Sequence, residues 1–215
     1  MQARTLTQLH LSTPLPPPSS SSSTATATAT ALPTSHPLHN HLTNLPKTTI
    51  YTQLEDPKTI YLLHEDPTAS PNILGINTAT QDKITITHKS TQRIDLPAPT
   101  LPLAAPVLAI GRYFVRPGQR AEFQRAFEAG KGYLEAFTAP YPLVGGWAET
   151  PRVAGGADAD TDDRSAAEYV LFSGWEAVER HFEFAETEGF KEFARIKEFM
   201  EGAEVKHAVR WEGRV

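Results

Sequence analysis

The chain has 215 residues, a formal charge of −5, 40% apolar residues and no cysteine. That length makes one domain or two small ones. It excludes a disulfide framework, a thiolate metal site and a cysteine nucleophile. No apolar run reaches the ~18–20 residues of a membrane span, and there is no basic cluster to hold nucleic-acid phosphates. Met1 to Pro18 has no cationic segment leading into an apolar one, so a signal peptide is not expected and a cytoplasmic location is.

Composition divides the chain near Pro106. All three Trp and all ten Phe follow it, and thirteen of the eighteen Pro precede it. Large aromatics supply much of a core's buried area, so the second half is expected to fold well and the first to lean on it. Thr5 to Leu11 reads as a first strand. Ser19 to Ala31 (SSSSSTATATATA) is low complexity and buries too little apolar surface to offset its ordering entropy, so 13–46 is expected to be disordered. Residues 1–95 form one unit, and the Pro-rich 96–106 reads as a semi-rigid linker.

The second unit spans 107–215. Val107 to Val115 is nearly continuous in apolar residues, as a strand covered on both faces is. After Pro117 and Gly118 the period changes to that of a helix, with Phe123, Phe127, Gly130, Leu134 and Phe137 on one face until Pro140. Leu143 to Glu149 and Glu168 to Ser173 read as strands around a Gly- and Asp-rich loop, Ala154 to Ser165. Val178, Phe182 and Ala185 begin a second helical face. Thr187 is the expected N-cap for its continuation through Phe190, Phe193, Ile196 and Met200, and Gly202 its end. Glu204 to Trp211 alternates as a last strand. The order is β-α-β-β-α-β, a ferredoxin-like unit.

The first half repeats this order in worn form. Glu55 and Pro57 answer Glu149 and Pro151, Tyr61 answers Tyr169, and His88 answers His207. Between the last two pairs lie 27 and 38 residues; the difference of 11 amounts to about three helical turns lost from the first copy. The expected fold class is α+β: two tandem ferredoxin-like units forming a pseudo-dimeric barrel, the first degenerate.

The segments RYFVRPGQRAEF (Arg112 to Phe123), EYVLFSGW (Glu168 to Trp175) and WEAVERHFEFAETEGFKEF (Trp175 to Phe193) resemble the antibiotic biosynthesis monooxygenase superfamily. That family has a similar run of Trp or Tyr, helix, His, Ser or Thr cap and Phe-x-x-Phe. The chain is similar in particular to fungal tandem members, in which two halves of one chain replace a two-subunit barrel. The resemblance implies cofactor-free oxygenation of an electron-rich aromatic or polyketide-like compound, in the manner of secondary metabolism. Relatives of this fold also act as cyclases, isomerases, lyases or haem degraders. The expected partner is thus a small aromatic substrate, with no cofactor, nucleic acid or membrane. The expected state is a monomer with a pseudo-dimeric barrel or a homodimer. A non-catalytic binding or scaffold protein is the alternative that the worn first half favours.

Two histidines are candidate catalytic groups. His181 lies on the apolar face of its helix, where an imidazole of ordinary pKa ~6.5 suits a general base; otherwise it is a core histidine bonded to a backbone carbonyl. His207 shares a strand face with Val209 and Trp211 and can answer it from the opposite wall. Tyr113, Trp147, Tyr169 and Trp175 can wall a pocket for a flat phenolic substrate, or simply be core aromatics. Arg112 is either a partner for an enolate or a rim charge. No metal site is expected. His36, His39 and His41 lack a carboxylate and lie in the Pro-interrupted tract, and Asp158, Asp160 and Asp162 lack the Gly and final Glu of a calcium loop. Gly130-Lys131-Gly132 is no phosphate loop, and there is no GxSxG nucleophile motif.

Overall fold

The computed structural model describes residues 2–13, 42, 45, 47–65, 86–96, 101–149 and 166–211, with the backbone alone for Gln2, His88 and Lys89. The polar tract up to His41, the segment answering the lost helical turns, and the Gly- and Asp-rich loop lie outside these residues, as do the histidine and aspartate clusters within them.

Eight strands are described. They are β1 (Gln2–Leu11), β2 (Thr48–Gln53), β3 (Thr59–His64), β4 (Ile86–Leu96), β5 (Val107–Val115), β6 (Leu143–Ala148), β7 (Ala167–Trp175) and β8 (Met200–Arg210). They close into an antiparallel barrel in the order β1-β3-β2-β8-β5-β7-β6-β4. Closure leaves no sheet edge to pair with another chain. The second half runs β-α-β-β-α-β, with α1 (Arg120–Thr138) after β5 and α2 (Val178–Ala185), α3 (Glu188–Phe193) and a 3-10 turn (Ala194–Phe199) after β7. Among the described residues no helix is long and apolar enough to cross a membrane.

Strand alternation sorts side chains into three cores. Every strand contributes to the barrel interior, for example Leu6, Tyr51, Leu63, Ile94, Ile110, Val144, Phe172 and Ala208. The outer face of β5, β7 and β8 packs against the helices through Tyr113, Phe123, Phe127, Tyr169, Trp175, Phe184 and Phe193. Leu9, Leu11, Ile50, Ile60, Leu62 and Trp211 form a third core with Leu42. Leu42 lies inside the tract expected to be disordered, yet is 2% exposed. Leu101 and Ala105, from the proline-rich 96–106, are buried as well.

α1 buries Phe123, Phe127, Gly130 and Leu134, as its period predicts, but its last buried residue is Thr138, and Phe137 is only partly buried. Gly130 is needed there, because a Cβ would meet the Phe193 Cα at 2.8 Å. Thr187 caps α3 as expected: its Oγ1 accepts from Phe190 N–H at 3.1 Å. The helical continuation ends earlier than its period suggested. Met200 already belongs to β8 and faces Val115 across a bulge, and Gly202 lies within that strand opposite Phe114.

Two seams join the halves. Gln53 faces Ala208 where β2 meets β8, and Ala148 faces Ile94 where β6 meets β4. Each half orders its strands fourth, first, third, second. Counting inward from the seams, Tyr51–Tyr61 takes the place of Gly146–Val170. Leu6–Leu63 likewise takes that of Ile110–Phe172, and Leu6–Gln92 that of Ile110–Lys206. The bulge at His10/Leu11 falls on the bulge at Phe114/Val115. This register corrects the letter-by-letter correspondence: Tyr61 stands at the place of Val170, Leu54 at that of Glu149, and Arg93 at that of His207. A one-residue slip matters because it exchanges the faces of a strand. Tyr61 points into the barrel, whereas Tyr169 points out of it.

Candidate active site

The site forms where the β2–β3 turn, the outer face of β8 and the start of α2 meet. β8 carries His207 opposite Ala109 of β5 and leaves it 6% exposed. At the end of β7, Trp175 is fully buried, its indole N–H donating to Ser173 Oγ at 2.9 Å. The chain turns there into α2, which lays His181 on the indole with ring centroids 4.3 Å apart and planes 13° apart. His181 Nδ1 then lies 2.8 Å from His207 Nε2.

The third member comes from the other half. Asp56 fixes the β2–β3 turn by accepting from Lys58 N–H and the Thr59 hydroxyl, a local bond typical of Asp in turns. Leu54 N–H donates to the His207 carbonyl at 2.8 Å. One residue on, the Glu55 carboxylate accepts the His207 backbone N–H at 2.9 and 3.1 Å and lies 2.7 Å from its Nδ1. Burial works against the Glu55 charge, but the bonds from His207 outweigh it and hold the carboxyl below its usual range. Burial, and then the neighbouring His207, push the His181 imidazole down to about 4.

The remaining candidates divide between two places. Tyr113, Trp147 and Tyr169 gather around Phe123, at 6.0, 5.7 and 5.4 Å between centroids. Trp147 is covered by the Arg120 guanidinium at 4.4 Å and donates its N–H to Gln124. Burial raises both phenols, so they are neutral donors. This cluster is core packing apart from the histidines, and Trp175 alone of the four aromatics touches them. Arg112 lies on the opposite face of β5, pointing into the barrel, where its Nε meets Glu168 at 2.5 Å and its Nη1 meets Glu204 at 3.4 Å. It is part of a partly exposed ion-pair group, joined by Gln92 through Glu168.

A cavity of about 550 Å³ lies between α1 and the α2–α3 corner, lined by residues such as Tyr133, Phe137, Phe184 and Gly189. The histidines do not line it. Two residues with exposed apolar side chains adjoin His207: Leu54, 42% exposed, through its backbone bond to the His207 carbonyl, and Phe182, 64% exposed, with its ring 6.0 Å from that of His207. Among the described residues no group of three or more His, Asp or Glu side chains is placed to hold a metal ion.

Glu55 is a site residue that sequence reasoning does not reach. It stands 152 residues from His207, and its one visible signal was its place in a turn that the repeat pattern had already singled out.

No family model matches the sequence, and no curated protein does. Solved structures do match. A candidate monooxygenase from Fusobacterium nucleatum aligns over 98% of this chain and 92% of its own, with a TM-score of 0.56 at 11% identity. An anthrone oxidase-like protein aligns over 99% and 92%, with a TM-score of 0.50 at 12% identity. A candidate chlorite dismutase aligns over 99% and 96%, with a TM-score of 0.53 at 12% identity. The chain shares the fold of these structures. At this identity the likeness concerns the backbone and leaves the chemistry to the side chains.

Proposed function

We propose that the chain is a cofactor-independent monooxygenase acting on a small aromatic or polyketide-like carbon acid, with His181 as general base. The observation that carries this is the Glu55–His207–His181 chain of bonds. Among the described residues neither imidazole is bonded to a backbone carbonyl, the arrangement expected of core histidines. His181 has a neutral ring at neutral pH and an Nε2 with no bonded partner among the described residues. A substrate lying across Phe182 and Leu54 covers apolar surface, brings its acidic C–H to Nε2 and excludes water from the pair.

The reaction balances for a methylene flanked by aromatic rings. His181 takes one proton, and the carbanion transfers an electron to dioxygen and recombines to a peroxide. Loss of the second C–H proton then breaks the O–O bond. One oxygen atom becomes a carbonyl and the other leaves as water.

The same structure supports reading the two halves as tandem ferredoxin-like units, the first a degenerate copy. Both have one strand order, one seam register and one bulge position. A bulge is a specific local feature that recurs within families, so its coincidence weighs more than scattered matching letters. If one chain replaces a two-subunit barrel, sedimentation gives the monomer mass of 23.6 kDa.

The test is oxygen uptake with a panel of anthrones, run beside the same mixtures under argon. Uptake matched to carbonyl product supports the oxygenase. Turnover that persists under argon replaces it with a cyclase or lyase using the same base. Binding without product leaves a non-catalytic receptor.

A further inference from the structure

We propose that Glu55, supplied by the first half of the chain, is a positioning residue that makes His207 and His181 one proton relay with its basic atom at His181 Nε2. This deepens the reading of the site as a base.

The argument is a proton count along three bonds. An ionised carboxylate can only accept, so the 2.7 Å contact puts a proton on His207 Nδ1. In a neutral ring the other nitrogen is then an acceptor. The 2.8 Å contact is therefore filled by the proton of His181 Nδ1, which leaves His181 Nε2 with a bare lone pair. A proton arriving there releases the Nδ1 proton to His207 Nε2. The positive charge comes to rest on His207, between its bond to Glu55 and its bond to His181, and His181 ends neutral with its proton on Nε2.

The relay removes an apparent conflict. As an isolated cation His181 is weakly basic, for burial and the neighbouring ring hold it down to about 4. In the relay that cation does not form, because charge accepted at His181 is stored beside Glu55. Few other groups reach the pair. Trp175 from β7 stacks on His181, and the Phe182 ring from α2 lies tilted beside His207. Arg180 of α2 is held by Glu183 and lies over Phe137. Lys206 and Arg210 alternate onto the opposite face of β8.

Imidazole nitrogen spectra of the full chain, labelled at histidine and assigned with H181Q and H207Q, read the relay directly. Above its titration both rings should carry their proton on Nδ1. The first proton added should give the imidazolium signature at His207 and move His181 to the Nε2–H form. E55Q keeps an oxygen to accept the His207 backbone N–H but loses the charge. Its unfolding midpoint should stay near wild type while the pair's proton-uptake midpoint falls by about 1–3 pH units. An imidazolium appearing first at His181, a wild-type His207 protonated on Nε2 alone, or an unmoved midpoint in E55Q overturns the relay. Should E55Q fail to fold, the wild-type spectra decide alone. Turnover does not enter this readout, so a failed relay and a failed oxygenase assay are told apart.

Discussion

The two seams of the barrel share a backbone pattern and differ in the side chains they bring together. At each, a residue just past the seam strand donates its N–H to the neighbouring strand: Leu54 to the His207 carbonyl, and Glu149 to the Arg93 carbonyl. His207 and Arg93 occupy the same place in the register. His207 is buried and held between a carboxylate and a second imidazole. Arg93 meets Glu149 at 3.0 Å, with side chains 47% and 50% exposed. An arginine does not titrate in the physiological range, so the second seam stores a fixed ion pair and the first can gain and lose a proton. One backbone solution thus carries a bonded imidazole pair on one side and an exposed ion pair on the other, and the side chain at a single register position decides which.

The comparison breaks most sharply at His181. H181A should reduce turnover on an authentic substrate by about 10²–10⁴-fold, the usual contribution of a positioned base, and leave the barrel folded. Initial rates and circular dichroism measured together check this. Full turnover in H181A removes the first seam from the chemistry and makes the two seams equivalent in function.

The next effect lies at the second seam. An added Cβ at Gly146 would meet the Asp95 carbonyl oxygen at 2.1 Å, so β4 and β6 must move apart. Tyr51 holds the matching place at the first seam and fills the barrel interior with a large ring. G146A should cost about 1–3 kcal/mol, as forced overpacking does, seen as a lower urea midpoint. The histidine pair, at the other seam, should keep its imidazole spectrum. A G146A barrel as stable as wild type means that the closure there is looser than the strand pairing implies.

How far these features were legible follows from the range over which each is encoded. The second half declared itself because its periods are local: Phe123, Phe127, Gly130 and Leu134 repeat within one helix, and Thr187 caps α3 from three residues away. The aromatic residues were equally visible, but composition does not say which face of a strand a side chain takes. Tyr113 and Trp175 share an outer face, and Arg112 faces the barrel interior. The shared strand order of the two halves was visible and their common register was not, since matching letters cannot distinguish Tyr61 at the place of Val170 from Tyr61 at the place of Tyr169. Glu55 was beyond reach, because its partner is chosen by barrel closure and not by sequence spacing.

Acid should weaken the first seam. His181 is neutral when folded down to about pH 4, against an ordinary value of 6.5, so between those values the unfolded chain binds more protons than the folded one. Stability therefore rises with pH across that window and is lost as pH falls through it. Glu55 acts in the same direction further down: its lowered pKa contributes stability above the ordinary 4.5 that disappears as pH drops through its folded value. Urea midpoints between pH 4 and 7 should show this slope, and H181Q should flatten the part above pH 4.5. A slope unchanged in H181Q assigns the acid sensitivity elsewhere.

The smallest effect tests whether the second seam needs its ion pair at all. Arg93 and Glu149 are both about half exposed, where water and salt screen the attraction and ordering two long side chains offsets what remains. Such pairs contribute about 0–1 kcal/mol. The backbone bond from Glu149 N–H to the Arg93 carbonyl does not depend on either side chain. R93A and E149A, singly and together, should each lie within about 1 kcal/mol of wild type, with a coupling energy that shrinks in high salt and no change in turnover. E55A differs in every respect. It removes the acceptor of a half-buried backbone N–H and the counter-charge of His207 in one step, and high salt should leave most of its effect in place. A double-mutant cycle at the second seam as large as the E55A loss would mean that both seams are built on charge and that the asymmetry lies only in which partner titrates.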